Sequence, residues 1–156
     1  MADYISEYDI VINKPIEFVF NNMTCQKGCI NWATGMRSAE KMIDQSLQVG
    51  SQYKHTFTFM GMNATSVSDV VLLNPPYEFG TADRTLKVIQ WESQFTYKET
   101  PEGGTHVHVT QTHHAGDSLM GRVATSMFIR RYRSQFQTDL ETLKEMLEDG
   151  MVIQQP

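Results

Sequence analysis

His55 is the first residue of the chain whose type and setting could do chemistry. It stands between Tyr53 and Phe57 in a stretch where Tyr53, His55, Phe57 and Phe59 alternate with Gln52, Lys54, Thr56 and Thr58. That is the period of a strand with one buried face. The parity therefore sets an imidazole among aromatic rings. His113 is in a similar position, because Val107, Val109, Gln111 and His113 share one face of the run 105–114. Two imidazoles and an amide on an apolar wall could orient a ligand or move a proton. The competing expectation is that each is a core group satisfied by internal hydrogen bonds.

Other reactive types are set out less favourably. His106 and His108 lie two apart on the opposite face, with Cα atoms about 6.6 Å apart, and His114 shares their parity. The spacing suits chelation, but that face is directed to solvent and no carboxylate at fixed spacing completes a set, so neither a metal nor a cofactor is predicted. Cys25 and Cys29 are four apart with no second pair, and read as free thiols in a reducing, cytoplasmic setting. Asp69, Asp83 and Glu92 could act as acid or base if any faced a cavity, and Arg84 could orient an anionic group. Parity turns Glu92 outward and leaves Asp69 and Asp83 open; the expectation for all four is an exposed charged sheet face.

The elements that must position these residues follow from periodicity. Residues 6–12 alternate, with Tyr8, Ile10 and Ile12 on one face. Asn13-Lys14-Pro15 offers a polar cap with Pro near the first turn of a short helix striped by Ile16, Phe18, Val19 and Met23. A second short helix is predicted through Cys29, Ile30 and Trp32. Strands are then expected over 36–43, 52–59, 63–73, 77–84, 88–98 and 105–114, with Gly61, Asn74-Pro75-Pro76 and Pro101-Glu102-Gly103-Gly104 as turns. The strand 88–98 puts Ile89, Trp91, Phe95 and Tyr97 on one side. A long helix capped by Asp117 or Ser118 runs to Asp149 and stops at Gly150, with Ile129, Tyr132, Phe136, Leu140, Leu143 and Leu147 as its core stripe. Its N-terminal half, with Leu119, Met120, Val123, Ala124, Met127 and Phe128, is expected to meet apolar material over a wide arc. Met60, Met62, Met120 and Met127 could make a pocket plastic or simply fill the core.

At 156 residues, 40% hydrophobic and 20% charged, the chain is predicted to be one domain over 1–156, with 151–156 a frayed tail. A net charge of -5 argues against nucleic acid, since phosphate binding needs clustered Lys and Arg; Arg130, Arg131 and Arg133 read as a solvated helix face. No run approaches the roughly 18 apolar residues of a membrane span, so stable membrane insertion is not expected.

Strand, two short helices, about six further strands and one long helix describe an α+β helix-grip, a curved antiparallel sheet closed over a C-terminal helix. Particular motifs resemble the START-like (SRPBCC) superfamily, which includes polyketide cyclases and dehydratases, lipid-transfer domains and the Bet v 1-like pollen-allergen fold. Ile12-Asn13-Lys14-Pro15-Ile16-Glu17-Phe18-Val19-Phe20 resembles its strand-to-helix entry, and Asn31-Trp32 its aromatic after the second helix. Val49-Gly50-Ser51 resembles its turn into the third strand, and Leu73-Asn74-Pro75-Pro76-Tyr77-Glu78-Phe79 its double-proline turn. Phe136, Leu140, Leu143, Lys144 and Leu147 resemble its closing helix.

The resemblance implies a cavity between sheet and helix for a small apolar or amphipathic ligand, whether lipid-, polyketide- or aromatic-like. On the sheet side the expected lining is Tyr53, His55, Phe57 and Phe59, then Phe79, Trp91 and Phe95, then Gln111 and His113. Trp32 is expected in the lining as well, and Met127 and Phe128 are expected to approach from the helix. No catalytic signature fixes a reaction. A cyclase- or dehydratase-like enzyme using the same cavity is one alternative, and a chaperone-activator-like interaction module another. A monomer or weak homodimer is expected.

Overall fold

In the computed structural model, which describes residues 2–24, 32–59, 61–87 and 89–151, the alternating segments all become strands. In chain order the elements are β1 (Ala2–Ile12), α1 (Ile16–Met23), β2 (Met36–Lys41), β3 (Gln52–Phe59), β4 (Met62–Asn74), β5 (Glu78–Asp83), β6 (Ile89–Glu99), β7 (Thr105–Ala115) and α2 (Leu119–Glu148). The strands form one seven-stranded antiparallel sheet in the order β1-β7-β6-β5-β4-β3-β2. Its inner face carries Tyr8, Ile10 and Ile12 from β1 and Val107, Val109, Gln111 and His113 from β7, all buried. This architecture is the helix-grip that the order of elements predicts.

Two register shifts bend the sheet, one in β4 between Val70 and Leu72 and one in β2 between Met36 and Ser38. An extra residue on one strand increases local twist and coiling, so the sheet curves around the helix rather than lying flat. The turns form where Gly and Pro require them. Gly103 has φ +83°, which a side chain would resist, and it lets Thr100 N–H donate to the Gly104 carbonyl at 3.0 Å.

The two described helices end as their sequences direct, with one exception. Ser118 Oγ accepts from Gly121 N–H at 3.0 Å to cap α2, and Gly150 follows the last turn with φ +82°. At α1 the expected Asn13 side-chain cap is absent, and Pro15 takes the cap position with no side-chain bond. Pro preorganises the first turn by its fixed φ and has no N–H to satisfy. The second short helix expected through Cys29, Ile30 and Trp32 falls mainly on residues 25–31, outside the described residues, as do both cysteines, Met60 and the tail 152–156. Trp32 belongs to the turn just before β2.

Ile129, Phe136, Leu140, Leu143 and Leu147 are buried against the sheet, with Tyr132 half-buried beside them. Full burial of each such side chain contributes about 1.5–3 kcal/mol, so this stripe is the principal tie between α2 and the sheet. The N-terminal half of α2 departs from expectation. Leu119, Met120, Val123 and Met127 are exposed, Met120 at 84%. The buried row there is Gly121, Thr125 and Ile129, spaced by four, and the larger apolar residues lie off that row.

Side chains of α2 also reach the free margin of β1. Arg133 donates to Ser6 Oγ at 2.7 Å and to the Ile5 carbonyl at 2.8 Å, and Lys144 Nζ donates to the Val11 carbonyl at 2.7 Å. Asn13 N–H donates to Glu148 Oε1 at 3.2 Å. No described helix is long and apolar enough to cross a membrane.

Candidate functional site

Between the curved sheet and α2 lies a cavity of about 200 Å³. Successive strands supply its wall because inward positions recur every second residue: His55 and Phe57 from β3, Ser68 from β4, Phe79 and Thr81 from β5, Trp91, Ser93 and Phe95 from β6, and His113 from β7. Phe128, Tyr132, Phe136 and Asp139 close it from α2, Met23 from α1, and the turn from Trp32 to Met36 forms one end.

Of the twelve residues expected to line a cavity, the structure brings eight together here: Trp32, His55, Phe57, Phe79, Trp91, Phe95, His113 and Phe128. Tyr53 is buried behind the wall, stacked on His55 with ring centroids 6.5 Å apart. Gln111 is buried beside the wall and donates to the Tyr132 hydroxyl at 3.2 Å. Met127 is a correction. It is 65% exposed, because it lies half a turn away from the inward row that contains Thr125 and Ile129. Phe59 ends β3, and its side chain lies outside the described set.

Aromatic contacts make the wall stiff. Phe57 meets Trp91 edge to face at 5.8 Å, Phe79 lies 6.2 Å from Phe95, and His113 stands edge-on to Phe128 at 6.2 Å and to Tyr132 at 5.6 Å. Phe136 packs against Tyr8, Trp32 and Tyr132 at once. Such offset and edge-on pairs each contribute about 0.5–1.5 kcal/mol beyond area burial.

Polar groups on this wall are few and specifically connected. Ser68 Oγ lies 3.3 Å from His55 Nδ1 and donates to Asp83 Oδ2 at 3.2 Å, while Thr85 N–H donates to Asp83 Oδ1 at 3.1 Å. Asp83 is fully buried, so for this residue the exposed-face expectation fails. Ser68 and Asp83 are directly paired across β4 and β5, a register that turns both inward. Asp69 instead accepts from Gln52 at 2.6 Å near the surface, and Glu92 and Arg84 pair with each other at 3.0 Å in solvent. Asp139 fastens the end turn to α2, accepting from Thr34 N–H at 2.9 Å and Thr34 Oγ1 at 2.7 Å.

Burial lowers the pKa of His55, partly offset by the Asp83 charge. Burial also lowers His113, to about 4, with the positive charges of Arg133 and His114 adding to the effect. Both imidazoles are therefore neutral near pH 7. Among the described residues, His55 Nε2, His113 Nδ1 and Trp32 Nε1 are buried with no hydrogen-bond partner. An unpaired buried donor or acceptor costs about 1–3 kcal/mol, and each of these three belongs to a residue that lines the cavity.

The outer histidines make no such site. Asp9 Oδ1 lies 2.8 Å from both His106 Nε2 and His108 Nδ1, and His114 Nδ1 lies 2.7 Å from Asp3. The hydrogen bond to Asp9 raises the pKa of His108, and the same bond lowers that of Asp9. Among the described residues no group of three or more His, Cys, Asp or Glu is arranged to hold a metal ion.

Sequence reasoning did not single out Ser68, Thr81, Ser93 or Asp139 as lining residues, and it placed Tyr132 and Phe136 in the core rather than on a wall. Strand parity was a usable signal for Ser68, which shares its face with Ser66 and Val70, all three buried. Nothing local marks Asp139, whose role depends on a partner 105 residues away.

No family model matches the chain, and no curated protein matches it. Solved structures do. The Zhui aromatase/cyclase from Streptomyces sp. R1128 is 11% identical with TM-score 0.78, the match covering 97% of this chain and 100% of that one. The di-domain ARO/CYC StfQ from the steffimycin biosynthetic pathway is 13% identical with TM-score 0.74, covering 94% of this chain and 51% of that one. Ara h 8.0201 is 12% identical with TM-score 0.64, covering 88% of this chain and 95% of that one. At these identities the likeness is one of fold, and it agrees with the START-like, Bet v 1-like resemblance carried by the sequence motifs.

Proposed function

We propose that this chain binds a small apolar or amphipathic molecule of aromatic, polyketide-like or lipid-like character between its sheet and α2. The observation that carries the reading is the cavity itself, which is walled by rings from four strands and the helix and is not filled by side chains. Well-packed interiors leave few voids larger than a water molecule, and a dry apolar space of about 150 Å³ is enough to hold benzene. A space of about 200 Å³ therefore suits a ligand of one or two rings, or one segment of a larger molecule. Each 100 Å² of apolar ligand surface taken from water would contribute about 2.5 kcal/mol.

Titration with N-phenyl-1-naphthylamine, a neutral dye that brightens in apolar surroundings, tests this. Saturable binding to the native protein, lost on unfolding, is expected. Fluorescence that follows only the unfolded fraction would remove the reading.

A second reading makes the same cavity a cyclase- or dehydratase-like active site. The observation favouring it is that two neutral imidazoles, His55 and His113, share the wall, with Asp83 linked to one of them. A neutral imidazole can accept a proton during reaction. Turnover of an aromatic or polyketide-like substrate that is lost in both His55→Phe and His113→Phe, with dye binding retained, would separate this reading from simple carriage.

A further inference from the structure

Resting on the ligand-binding reading, the relay Asp83–Ser68–His55 deepens it. Asp83 accepts at both carboxylate oxygens, from Thr85 N–H and from Ser68 Oγ. Ser68 has a single hydrogen and gives it to Asp83, so toward His55 its oxygen can only accept. His55 Nδ1, 3.3 Å away, must then carry the ring hydrogen. In a neutral imidazole the other nitrogen is left with a lone pair, and this nitrogen, Nε2, is buried with no protein partner on a residue that lines the cavity. His55 is only 7% exposed, so bulk solvent reaches it little.

The charges of the wall point the same way. Among the described residues that line it, the ionisable ones are His55, His113, Tyr132 and Asp139, with no Lys or Arg. A ligand carboxylate would meet no cation among the described lining residues, would lie beside a buried aspartate, and would face a hydrogen-bond acceptor at His55. A neutral ligand with an O–H or N–H would instead satisfy Nε2 and keep the wall uncharged.

We propose that His55 is the specificity-determining residue of the cavity, held by Ser68 and Asp83 as a fixed hydrogen-bond acceptor, so that the site selects neutral, ring-sized ligands bearing a hydrogen-bond donor and rejects carboxylates.

Competition against the dye with four two-ring compounds tests the proposal in the full chain: 2-naphthol (donor), naphthalene (neither donor nor acceptor), quinoline (acceptor) and 2-naphthoate (anion). 2-Naphthol should bind about five- to tenfold tighter than naphthalene, as one satisfied buried acceptor allows; quinoline and 2-naphthoate should bind more weakly than naphthalene. In Ser68→Ala the naphthol-to-naphthalene ratio should fall below about twofold. Asp83→Asn presents an amide that can donate to Ser68, so the serine hydrogen turns to His55 Nδ1, and the ranking of quinoline and naphthol should move toward quinoline. Two-bond ¹H–¹⁵N spectra of the wild type report the tautomer without any ligand, and the Nδ1–H form is expected even if Asp83→Asn does not fold. An Nε2–H tautomer, or equal binding of naphthol and naphthalene, would overturn the proposal and leave the cavity reading standing. Failure of both naphthol and naphthalene to displace the dye would overturn the two together.

Discussion

Replacing His113 by Phe should flatten the acid sensitivity of the fold. His113 stands on β7 edge-on to the stacked rings of Phe128 and Tyr132, and its Nδ1 has no partner, so phenylalanine can take the same edge-on packing without a titrating group. In the folded protein its pKa is about 4, against roughly 6.5 in an unfolded chain. Between those values the unfolded state binds the extra proton, so stability is highest above the unfolded value and falls as pH is lowered through the window. For a single group with these two values, going from pH 7.5 to 5.5 removes about 1.3 kcal/mol, and going below pH 4 removes about 3 kcal/mol in all. Urea unfolding followed by tryptophan fluorescence at pH 7.5 and 5.5, in wild type and His113→Phe, measures the difference. His55 and His108 titrate in both proteins and cancel to first order. The variant should lose about 1.3 kcal/mol less than wild type over this interval. Equal losses, within about 0.3 kcal/mol, would refute the claim that burial holds His113 neutral.

Three further outcomes are expected. Phe136→Ala, which empties the junction of Tyr8, Trp32 and Tyr132, should cost about 3–5 kcal/mol in the same urea assay. Asp139→Ala should cost about 2 kcal/mol by freeing the Thr34 hydrogen bonds, and stopped-flow dilution should show faster dye release as the end turn loosens. Trp91→Ser should weaken N-phenyl-1-naphthylamine binding at least about fivefold in equilibrium titration through lost apolar contact, whereas His106→Ala, on the outer face, should leave it within about twofold.

Much of this architecture is legible because the sheet buries one face only. Around His55 and along β7, alternation marks which side chains turn inward, and the structure agrees at Tyr53, His55, Val107, Val109, Gln111 and His113. The helix was harder to read. Its C-terminal stripe fixes the phase, and continuing that phase backward from Ile129 gives Thr125 and Gly121, a small and weakly apolar row. Hydrophobicity alone instead favoured Leu119, Met120, Val123 and Met127, which face outward. The pairing of Asp83 with Ser68 was not legible for another reason. Their meeting depends on the register of β4 against β5, and a single sequence does not specify which residues stand opposite each other. Trp32 and Phe79 came from the resemblance rather than from periodicity, since each lies in or beside a turn.

The bonds from α2 to β1 have a consequence at the margin of the sheet. A seven-stranded sheet that does not close has two outer strands, here β1 and β2, and an outer strand offers unpaired N–H and C=O groups on which another chain's strand can assemble. Along β1 those groups belong to alternate residues, and Ile5, Val11 and Asn13 share one parity. Their carbonyls and amide are already taken by Arg133, Lys144 and Glu148 of the chain's own helix. The helix therefore does more than cover the inner face: Arg133 and Lys144 take two outward carbonyls of β1, and Glu148 the amide just beyond it, on the margin where copies of the protein could otherwise add strand to strand.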